Sequence, residues 1–436
     1  MFLPVRFYLA AVVVIVALAL GQLWPPLFKV GIALLALLGL LLVADIALLW
    51  TRRGIAAERH CNSRFSNGDE NAVSLVVENH YPFAVKLNII DEIPHIFQRR
   101  DVNFAMRLPA GDNGTVDYTL RPTRRGVYGF GAIRVFATSP LGLVQRRFTL
   151  GDPMDVAVYP SYLMLNRYEL LAIGNNLIDM GLKRIRRVGN NTEFEQIKSY
   201  VQGDDYRLIN WKASVRAHQL MVNVYTDERS QQVINVIDKG RIMQQAFDGM
   251  TILDYAINAS LVLSYVALHR DDKAGIITFA EKMGEFVKPD RGPSQINDIL
   301  ESLYSQTTNF AESDYSALVA NVNRLVGKRS LLILYTNFFD YTSMMRQLPY
   351  LMQLNSRHRL LVVFFIDEER RQFISEQPHS VKEYYEHSIA EKIDQEQILI
   401  INTLRQHGIY SLLTLPQNLS VNVINRYLEM KSRQLF

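Results

Sequence analysis

Two long apolar runs at the N-terminus restrict the fold of this chain more than any other feature. Residues 7–23 carry no charge, and residues 30–50 carry only one, Asp45. Each run is close to the roughly 20 residues that a helix needs to cross the hydrocarbon core of a membrane. The short segment between them contains a tryptophan and two prolines, which interrupt a helix and supply an interfacial aromatic ring. The sequence therefore predicts a two-span transmembrane hairpin over residues 1–52, and a cleaved signal peptide is the alternative.

Basic residues flank this hairpin at both ends. Arg6 precedes the first run, and four arginines follow the second: Arg52, Arg53, Arg59 and Arg64. Because positively charged flanks stay in the cytoplasm, we expect a multi-pass protein of the cell inner membrane with its large C-terminal part in the cytoplasm. Asp45 is either a functional intramembrane acid or a carboxylate that pairs with Arg52 and Arg53, and the sequence favours the pairing.

Composition excludes several classes of protein. The chain of 436 residues has a formal net charge of +4, which argues against a general nucleic-acid binder. Its single cysteine, Cys61, excludes an intramolecular disulfide and a zinc site built from several thiolates. No phosphate-binding loop, zinc-protease motif or nucleophile elbow is present in the sequence, so no catalytic residue is predicted.

Two patterns follow the hairpin. In residues 55–162, runs such as "AVSLVVEN" and "VDYTL" alternate apolar and polar residues between turn formers, which predicts an antiparallel β-sandwich. In residues 233–436, strongly apolar strands such as "SLLILYT" and "RLLVVFFI" are each followed by a helical pattern. Strands of that kind lie in parallel sheets with helices on both faces. The sequence thus predicts an α/β protein whose last domain is doubly wound and mostly parallel.

Polar residues at two strand ends are candidates for a ligand site. One strand ends at Asp238 and another at Thr336, and in a doubly wound sheet both ends open onto the same crevice. A hard cation such as Mg²⁺ prefers several oxygen ligands, and Asp340 is a further carboxylate within reach of the second strand end. An atypical Mg²⁺ site is therefore one hypothesis.

The neighbouring positions weaken that hypothesis. Gly240 and Ile242 stand where further hydroxyl ligands would be expected, and Asn337 stands at the second strand end. The sequence therefore favours a structural role for Asp238, paired with Arg241 or with a helix N-terminus, and no tightly bound metal.

The linker over residues 163–232 is rich in charged and aromatic residues. Asp204 is expected to cap a helix that begins near Asp205. Leu208, Trp211 and Val215 then share one face, which we expect to pack against the α/β domain.

The charged residues of this linker complete the prediction. Arg207 lies one turn before Trp211 and is expected to stack on its indole, and Lys212 lies on the other side. Glu195 and Asp205 are available to pair with these bases. The segment is interpreted first as a structural clamp and second as a surface that docks a partner, with catalysis as a minor alternative.

The stretch "EFEQIKSYVQGDDYRLINWKAS", together with the later "DERSQ" and a strand that closes on "DKGRIM", resembles the bacterial family called domain of unknown function 58. The upstream "RPTRRGVYGFGAIRV" and "SPLGL" are similar to the same family's sandwich segment. The resemblance implies a C-terminal domain like that of von Willebrand factor type A. In such domains a metal is held by an Asp-x-Ser-x-Ser strand end, a threonine and a later aspartate.

On that pattern Asp238 keeps the first acid, Gly240 and Ile242 replace the two serines, and Asn337 replaces the last aspartate, while Thr307 or Thr308 is the candidate threonine. The resemblance also implies work with a MoxR-type AAA+ ATPase. Three hypotheses follow: a membrane-anchored cytoplasmic scaffold or adaptor, an Mg²⁺-dependent binding domain, and an envelope-related enzyme.

Overall fold

The computed structural model describes residues 1–50, 54–97, 99, 102–163, 193–202, 204–226, 230–308, 310–338 and 340–436, without the side chains of residues 193–196 and 224–226. Two compact units divide the chain, Met1–Tyr159 and Pro160–Phe436.

The N-terminal unit begins with two apolar helices, α1 (Val5–Gly21) and α2 (Pro25–Trp50). Most of their large apolar side chains are exposed. The two prolines form the first turn of α2, where a missing N–H removes no helical hydrogen bond. By length and composition α2 could span a membrane, and α1 is a shorter apolar helix. The two predicted apolar helices are therefore present, each beginning a few residues earlier than expected.

Asp45 contacts the β-rich part of this unit. Its side chain is fully buried, and Oδ2 accepts hydrogen bonds from the N–H groups of Leu143 at 3.0 Å and Val144 at 2.9 Å. The expected partners, Arg52 and Arg53, lie outside the described residues. A carboxylate in this position satisfies two buried backbone donors that would otherwise lack an acceptor.

Strands form the rest of the N-terminal unit. They are β1 (Ile55–Cys61), β2 (Arg64–Ser66), β3 (Asn71–Asn79), β4 (Val85–Asp91), β5 (Asn103–Leu108), β6 (Asn113–Leu120), β7 (Gly126–Phe130), β8 (Ile133–Thr138), β9 (Gln145–Leu150) and β10 (Met154–Tyr159). Three sheets share one core, with the orders β1-β3-β6, β2-β10-β7 and β5-β4-β8-β9. The expectation that all strands pair antiparallel is wrong at one place, because β2 and β10 pair parallel.

A small module follows in the second unit. Its strands β11 (Glu193–Ser199) and β12 (Met221–Thr226) pair antiparallel, and the helix α3 (Trp211–Ala217) lies between them in sequence.

A six-stranded sheet forms the centre of the C-terminal unit. The remaining strands are β13 (Gln232–Asp238), β14 (Ala246–Phe247), β15 (Met250–Thr251), β16 (Lys273–Phe279), β17 (Met283–Asp290), β18 (Leu331–Tyr335), β19 (Arg359–Phe365) and β20 (Tyr410–Thr414). The remaining helices are α4 (Ile252–His269), α5 (Gln295–Tyr304), α6 (Tyr315–Leu325), α7 (Tyr341–Arg357), α8 (Glu368–Ser375), α9 (Val381–Gln406) and α10 (Leu419–Ser432). The sheet order is β17-β16-β13-β18-β19-β20, and β17 is the antiparallel edge strand.

Both faces of this sheet are covered. Along β13, Val233 and Ile237 belong to a core with α4 and α10, whereas Ile234 and Val236 belong to a second core with α6 and α7. Because both faces are buried, the strands are apolar throughout, as the sequence indicated. The chain adds β16 and β17 on one side of β13 and then β18, β19 and β20 on the other side. The carboxyl ends of β13 and β18 lie side by side at this change of direction.

Candidate functional site

Asp238 is the centre of a buried hydrogen-bond network at the carboxyl end of β13. Oδ1 accepts hydrogen bonds from the Gly240 N–H at 2.8 Å and from the Ser313 hydroxyl. Oδ2 accepts from the hydroxyls of Thr336 at 2.7 Å and Tyr315 at 3.4 Å. Burial raises the pKa of Asp238, and these hydrogen bonds oppose the rise. The expected meeting of Asp238 and Thr336 is thus seen, whereas the expected partner Arg241 is replaced by hydroxyl and amide donors.

Ser313 and Tyr315 are the members of this network that the sequence did not indicate. They flank Asp314, which caps α6 by accepting hydrogen bonds from the N–H groups of Ser316 at 2.8 Å and Ala317 at 3.1 Å. The cap fixes the loop before α6, so the side chains on either side of Asp314 are directed towards β13. The Tyr315 hydroxyl also bonds the Thr336 hydroxyl at 2.7 Å.

Gly240 is required by this arrangement. A Cβ atom at position 240 would collide with Ser313 Oγ and lie 3.0 Å from Asp238 Oδ1. The serine that the resemblance expects at position 240 is therefore sterically excluded while Ser313 bonds Asp238. Ser313 supplies a hydroxyl to the same carboxylate from a different loop.

We expect Gly240→Ser to lower the free energy of unfolding of the C-terminal unit by about 2 kcal/mol, because the new side chain overpacks the site. Adding Ser313→Gly should restore most of the loss, since the collision disappears and the new hydroxyl can take the place of the old one. Native-state hydrogen exchange of the β13 amides measures both variants. Equal losses in the single and the double variant would contradict the collision with Ser313.

The other expected metal-site residues lie elsewhere or make other contacts. Asp340 caps α7 by accepting from the Ser343 N–H at 2.6 Å, which holds the pKa of that carboxyl below its usual value. The Asn337 side chain accepts from the Phe338 N–H at 3.2 Å. Ile242 lies in a single 3₁₀ turn with its side chain partly exposed.

The threonine that bonds Asp238 is Thr336, and not Thr307 or Thr308. The Thr308 hydroxyl instead accepts a hydrogen bond from the Phe310 N–H. A hard divalent cation needs several oxygen ligands with open coordination positions. Here one buried carboxylate has both oxygens occupied by protein donors, and the Tyr315 hydroxyl bonds Asp238 as well as Thr336. The residues present therefore do not fit a bound Mg²⁺ ion.

An open cleft of about 410 Å³ lies next to this network. Its walls are the loop before α6 and one side of α7, with Ser313 and Tyr315 at the boundary to the buried acid. Glu312, Arg346 and Tyr350 present charged and aromatic groups in the cleft. The arrangement can bind a polar group on the surface while Asp238 holds the underlying strand ends together.

The module residues form a second candidate site. Asp204 accepts from the Lys198 ammonium at 2.9 Å and from the Val201 N–H at 3.0 Å, which lowers its pKa. Asp205 caps a 3₁₀ turn over Tyr206–Leu208 by accepting from the Arg207 N–H at 3.0 Å. The predicted cap at Asp204 is therefore wrong, since Asp205 fills that role one residue later. The side chain of Glu195 lies outside the described residues.

Three expectations about Trp211 also change. The helix begins at Trp211 and is capped by Asn210, which accepts from the Ala213 N–H at 3.0 Å. Trp211 is 67% exposed and Val215 is 74% exposed, so the predicted packing of this face against the α/β domain is wrong. The Arg207 guanidinium lies over the ring of Tyr206, at 5.8 Å from its centroid, instead of stacking on Trp211. Lys212 is exposed beside Trp211.

Comparison with known proteins gives a match to one family model and to an uncharacterized relative, without an activity. Residues 196–377 match the model of a family described as "Protein of unknown function DUF58". A curated relative, the uncharacterized protein YeaD of Bacillus subtilis (strain 168), is 25% identical over 236 residues. That match covers 52% of this chain and 58% of the relative, so it spans little more than half of the relative's length.

Solved structures add weak likenesses. The conserved hypothetical protein BatB from Bacteroides thetaiotaomicron is 10% identical, with 47% of this chain and 100% of that chain covered and a TM-score of 0.30. The CARDB domain of the PF1109 protein from Pyrococcus furiosus is 13% identical, with 24% and 93% covered and a TM-score of 0.19. TM-scores this low carry no argument about fold or function.

Proposed function

From the match of residues 196–377 to the DUF58 family model, we propose that this chain is a DUF58-type membrane-anchored cytoplasmic adaptor. The hairpin of α1 and α2 crosses the inner membrane twice. The C-terminal unit is a domain like von Willebrand factor type A that works by binding protein partners. The partner is a MoxR-type AAA+ ATPase, as the family resemblance implies.

Exposed aromatic and apolar side chains on the module carry this proposal. Tyr206, Trp211 and Val215 are 69%, 67% and 74% exposed, and Val201 is 62% exposed. We call these four residues the Trp211 surface. Large apolar side chains cost free energy when they face water, and tryptophan is enriched among the residues that dominate protein interfaces. Their exposure is explained if a partner covers them.

Charge around the Trp211 surface fits the same role. Arg207, Lys212 and Arg216 lie within or next to the helix α3 and its preceding turn. Within the described parts of the chain, Lys212 and Arg216 have no acidic partner. Exposed apolar side chains with bases as their sequence neighbours suit a partner surface that offers both apolar and acidic groups.

The anchor part of the proposal rests on the N-terminal helices. At 1.5 Å per residue, the 17 residues of α1 extend about 25 Å and the 26 residues of α2 about 39 Å. Their apolar side chains are largely exposed, which favours lipid as their surroundings.

A direct binding measurement tests the adaptor role. The full chain in detergent is immobilised and the purified MoxR-type ATPase of the same organism is titrated over it. Loss of a buried interface tryptophan costs about 2 kcal/mol or more, so Trp211→Ala with Lys212→Glu should raise the Kd at least about 30-fold.

A matched control variant is available on α9. Tyr385→Ala with Lys382→Glu removes an aromatic ring and reverses the charge at a lysine position on another exposed surface. This double variant should leave the Kd unchanged. No binding by the wild-type chain, or equal losses in both double variants, would contradict docking through the Trp211 surface.

A further inference from the structure

A second cavity, of about 480 Å³, lies in the N-terminal unit between the start of α1 and one end of the sandwich. Its polar lining consists of three cationic side chains and two hydroxyl side chains: Arg6, Lys86, Arg107, Thr138 and Ser139. Among the described residues, no acid lines it. A concave site with this lining attracts an anion.

The cations are brought together by the fold at an electrostatic cost. Lys86 on β4 is directly opposite Arg107 on β5, and like charges at opposite positions destabilise a sheet. In the described parts of the chain neither side chain has an acidic partner, and the same is true of Arg6. Both Lys86 and Arg107 are exposed, so their charges serve no buried ion pair. A bound anion would relieve this repulsion.

Two further features favour an anion at this place. The helix α1 starts after Pro4, which provides no side-chain cap, so its first N–H groups and its dipole add positive potential next to Arg6. Gly142, with φ of +73°, lets its loop approach the Arg6 guanidinium, because a Cβ there would lie 3.1 Å from Nη1. The Ser139 hydroxyl accepts from the Gly142 N–H at 3.1 Å and keeps its own proton free to donate.

The cavity lies where the hairpin meets the sandwich. Phe2 pairs with Gln145 before α1 begins, and Asp45 bonds Leu143 and Val144 near the end of α2. The 21 residues from Pro25 to Asp45 would extend about 30 Å, the thickness of the hydrocarbon core. With the hairpin spanning a membrane as in the proposed function, the cavity at the same end of the sandwich would be level with the lipid headgroups on that side.

We propose that this cavity binds the phosphate group of an anionic membrane lipid. Arg6, Lys86 and Arg107 neutralise the phosphodiester, Thr138 and Ser139 donate hydrogen bonds to its oxygens, and the acyl chains lie along the apolar surface of α1. The inference rests on the anchor part of the proposed function and extends it, because it gives the hairpin a preferred lipid. Phosphate from solution has the same chemistry, so the test separates the two sources.

Native mass spectrometry of the full chain in detergent measures the binding. With phosphatidylglycerol or phosphatidylcholine added at equal concentration, we expect one retained phosphatidylglycerol and at least about tenfold less phosphatidylcholine. Lys86→Ala with Arg107→Ala should reduce the retained phosphatidylglycerol roughly 10- to 30-fold. The charge-preserving Lys86→Arg with Arg107→Lys should retain it.

Arg124→Ala is the matched control. Arg124 is exposed and lies four residues after Leu120, which pairs with Asn71 at the start of β3. The opposite end of β3, Asn79, is the one that leads on to β4 and Lys86. The variant should therefore keep full lipid retention. Equal retention of both lipids, or undiminished retention by the double alanine variant, would overturn the proposal. Displacement of the lipid by millimolar glycerol 3-phosphate would assign the cavity to soluble phosphates instead. ATPase binding is measured in the same preparations, so a failed lipid site is distinguished from a failed adaptor role.

Discussion

Replacing Asp91 by alanine is expected to lower the free energy of unfolding of the N-terminal unit by about 3–5 kcal/mol. Asp91 ends β4 and forms a bidentate ion pair with Arg59 on β1, with side-chain exposures of 0% and 4%. Arg59 also donates to the Gly131 carbonyl at 2.9 Å, and the Tyr118 hydroxyl donates to Asp91. The variant leaves the Arg59 charge buried without its counter-ion, which is the main cause of the loss.

The measurement is native-state hydrogen exchange of the β1 and β4 amides in the full chain, which reports on this unit separately from the other. Two further variants serve as comparisons. Arg134→Ala removes an exposed ion pair with Glu92 and should cost less than about 1 kcal/mol. Asp91→Leu combined with Arg59→Met removes both charges and should recover most of the loss. Equal losses in Asp91→Ala and Arg134→Ala would show that burial of the pair has no energetic consequence.

The C-terminal sheet could be predicted from sequence because its strands are buried on both faces. "LLILY" forms β18 and "RLLVVFF" forms β19, at the positions where the apolar runs indicated them. The edge strand β17 was not predicted. It pairs on one side only and is mostly exposed or half-buried, so its sequence, "MGEFVKPD", carries charges and a proline typical of a loop.

The network around Asp238 was only half predictable. Thr336 follows a strand adjacent to β13, so the sheet rule brought it to Asp238. Ser313 and Tyr315 are separated from Asp238 by 75 and 77 positions and lie in a segment without strand periodicity. The single local signal was Asp314, a residue that favours helix caps, because a capped helix start fixes the direction of the side chains beside it.

The module shows a second limit of prediction from sequence. The spacing of Leu208, Trp211 and Val215 was used to place them on one helix face, and that face was expected to be buried. The helix turned out to be seven residues long, with Asn210 as its cap. Spacing reports which residues are neighbours on a helix but not what covers them, so only the structure shows that Trp211 is exposed.

Asp238→Ala is expected to lower the free energy of unfolding of the C-terminal unit by about 3 kcal/mol. The variant leaves the hydroxyls of Ser313 and Thr336 and the Gly240 N–H without their shared acceptor, and each buried unsatisfied group costs about 1–3 kcal/mol. The Tyr315 hydroxyl keeps the Thr336 hydroxyl as a partner. Removal of a desolvated charge offsets part of that cost. Asp238→Asn keeps an acceptor for the Gly240 N–H, and the hydroxyls can rotate to accept from its amide, so its loss should stay below about 1 kcal/mol at pH 7.

The pH dependence separates a structural acid from a metal ligand. Because burial raises the folded-state pKa of Asp238 above its usual 3.8, acidification protonates the folded chain before the unfolded chain. Protonation of Asp238 therefore stabilises the folded chain. This contribution is fully present below the pKa that Asp238 has in the unfolded chain, and it is lost as the pH rises through the pKa that Asp238 has in the folded chain. Wild type should therefore gain stability relative to Asp238→Asn as the pH falls from 7 towards 4, measured by hydrogen exchange of the β13 amides. Mg²⁺ should leave the thermal transition of the wild type unchanged. An Mg²⁺-dependent rise that Asp238→Asn abolishes would show instead that the carboxylate binds a cation.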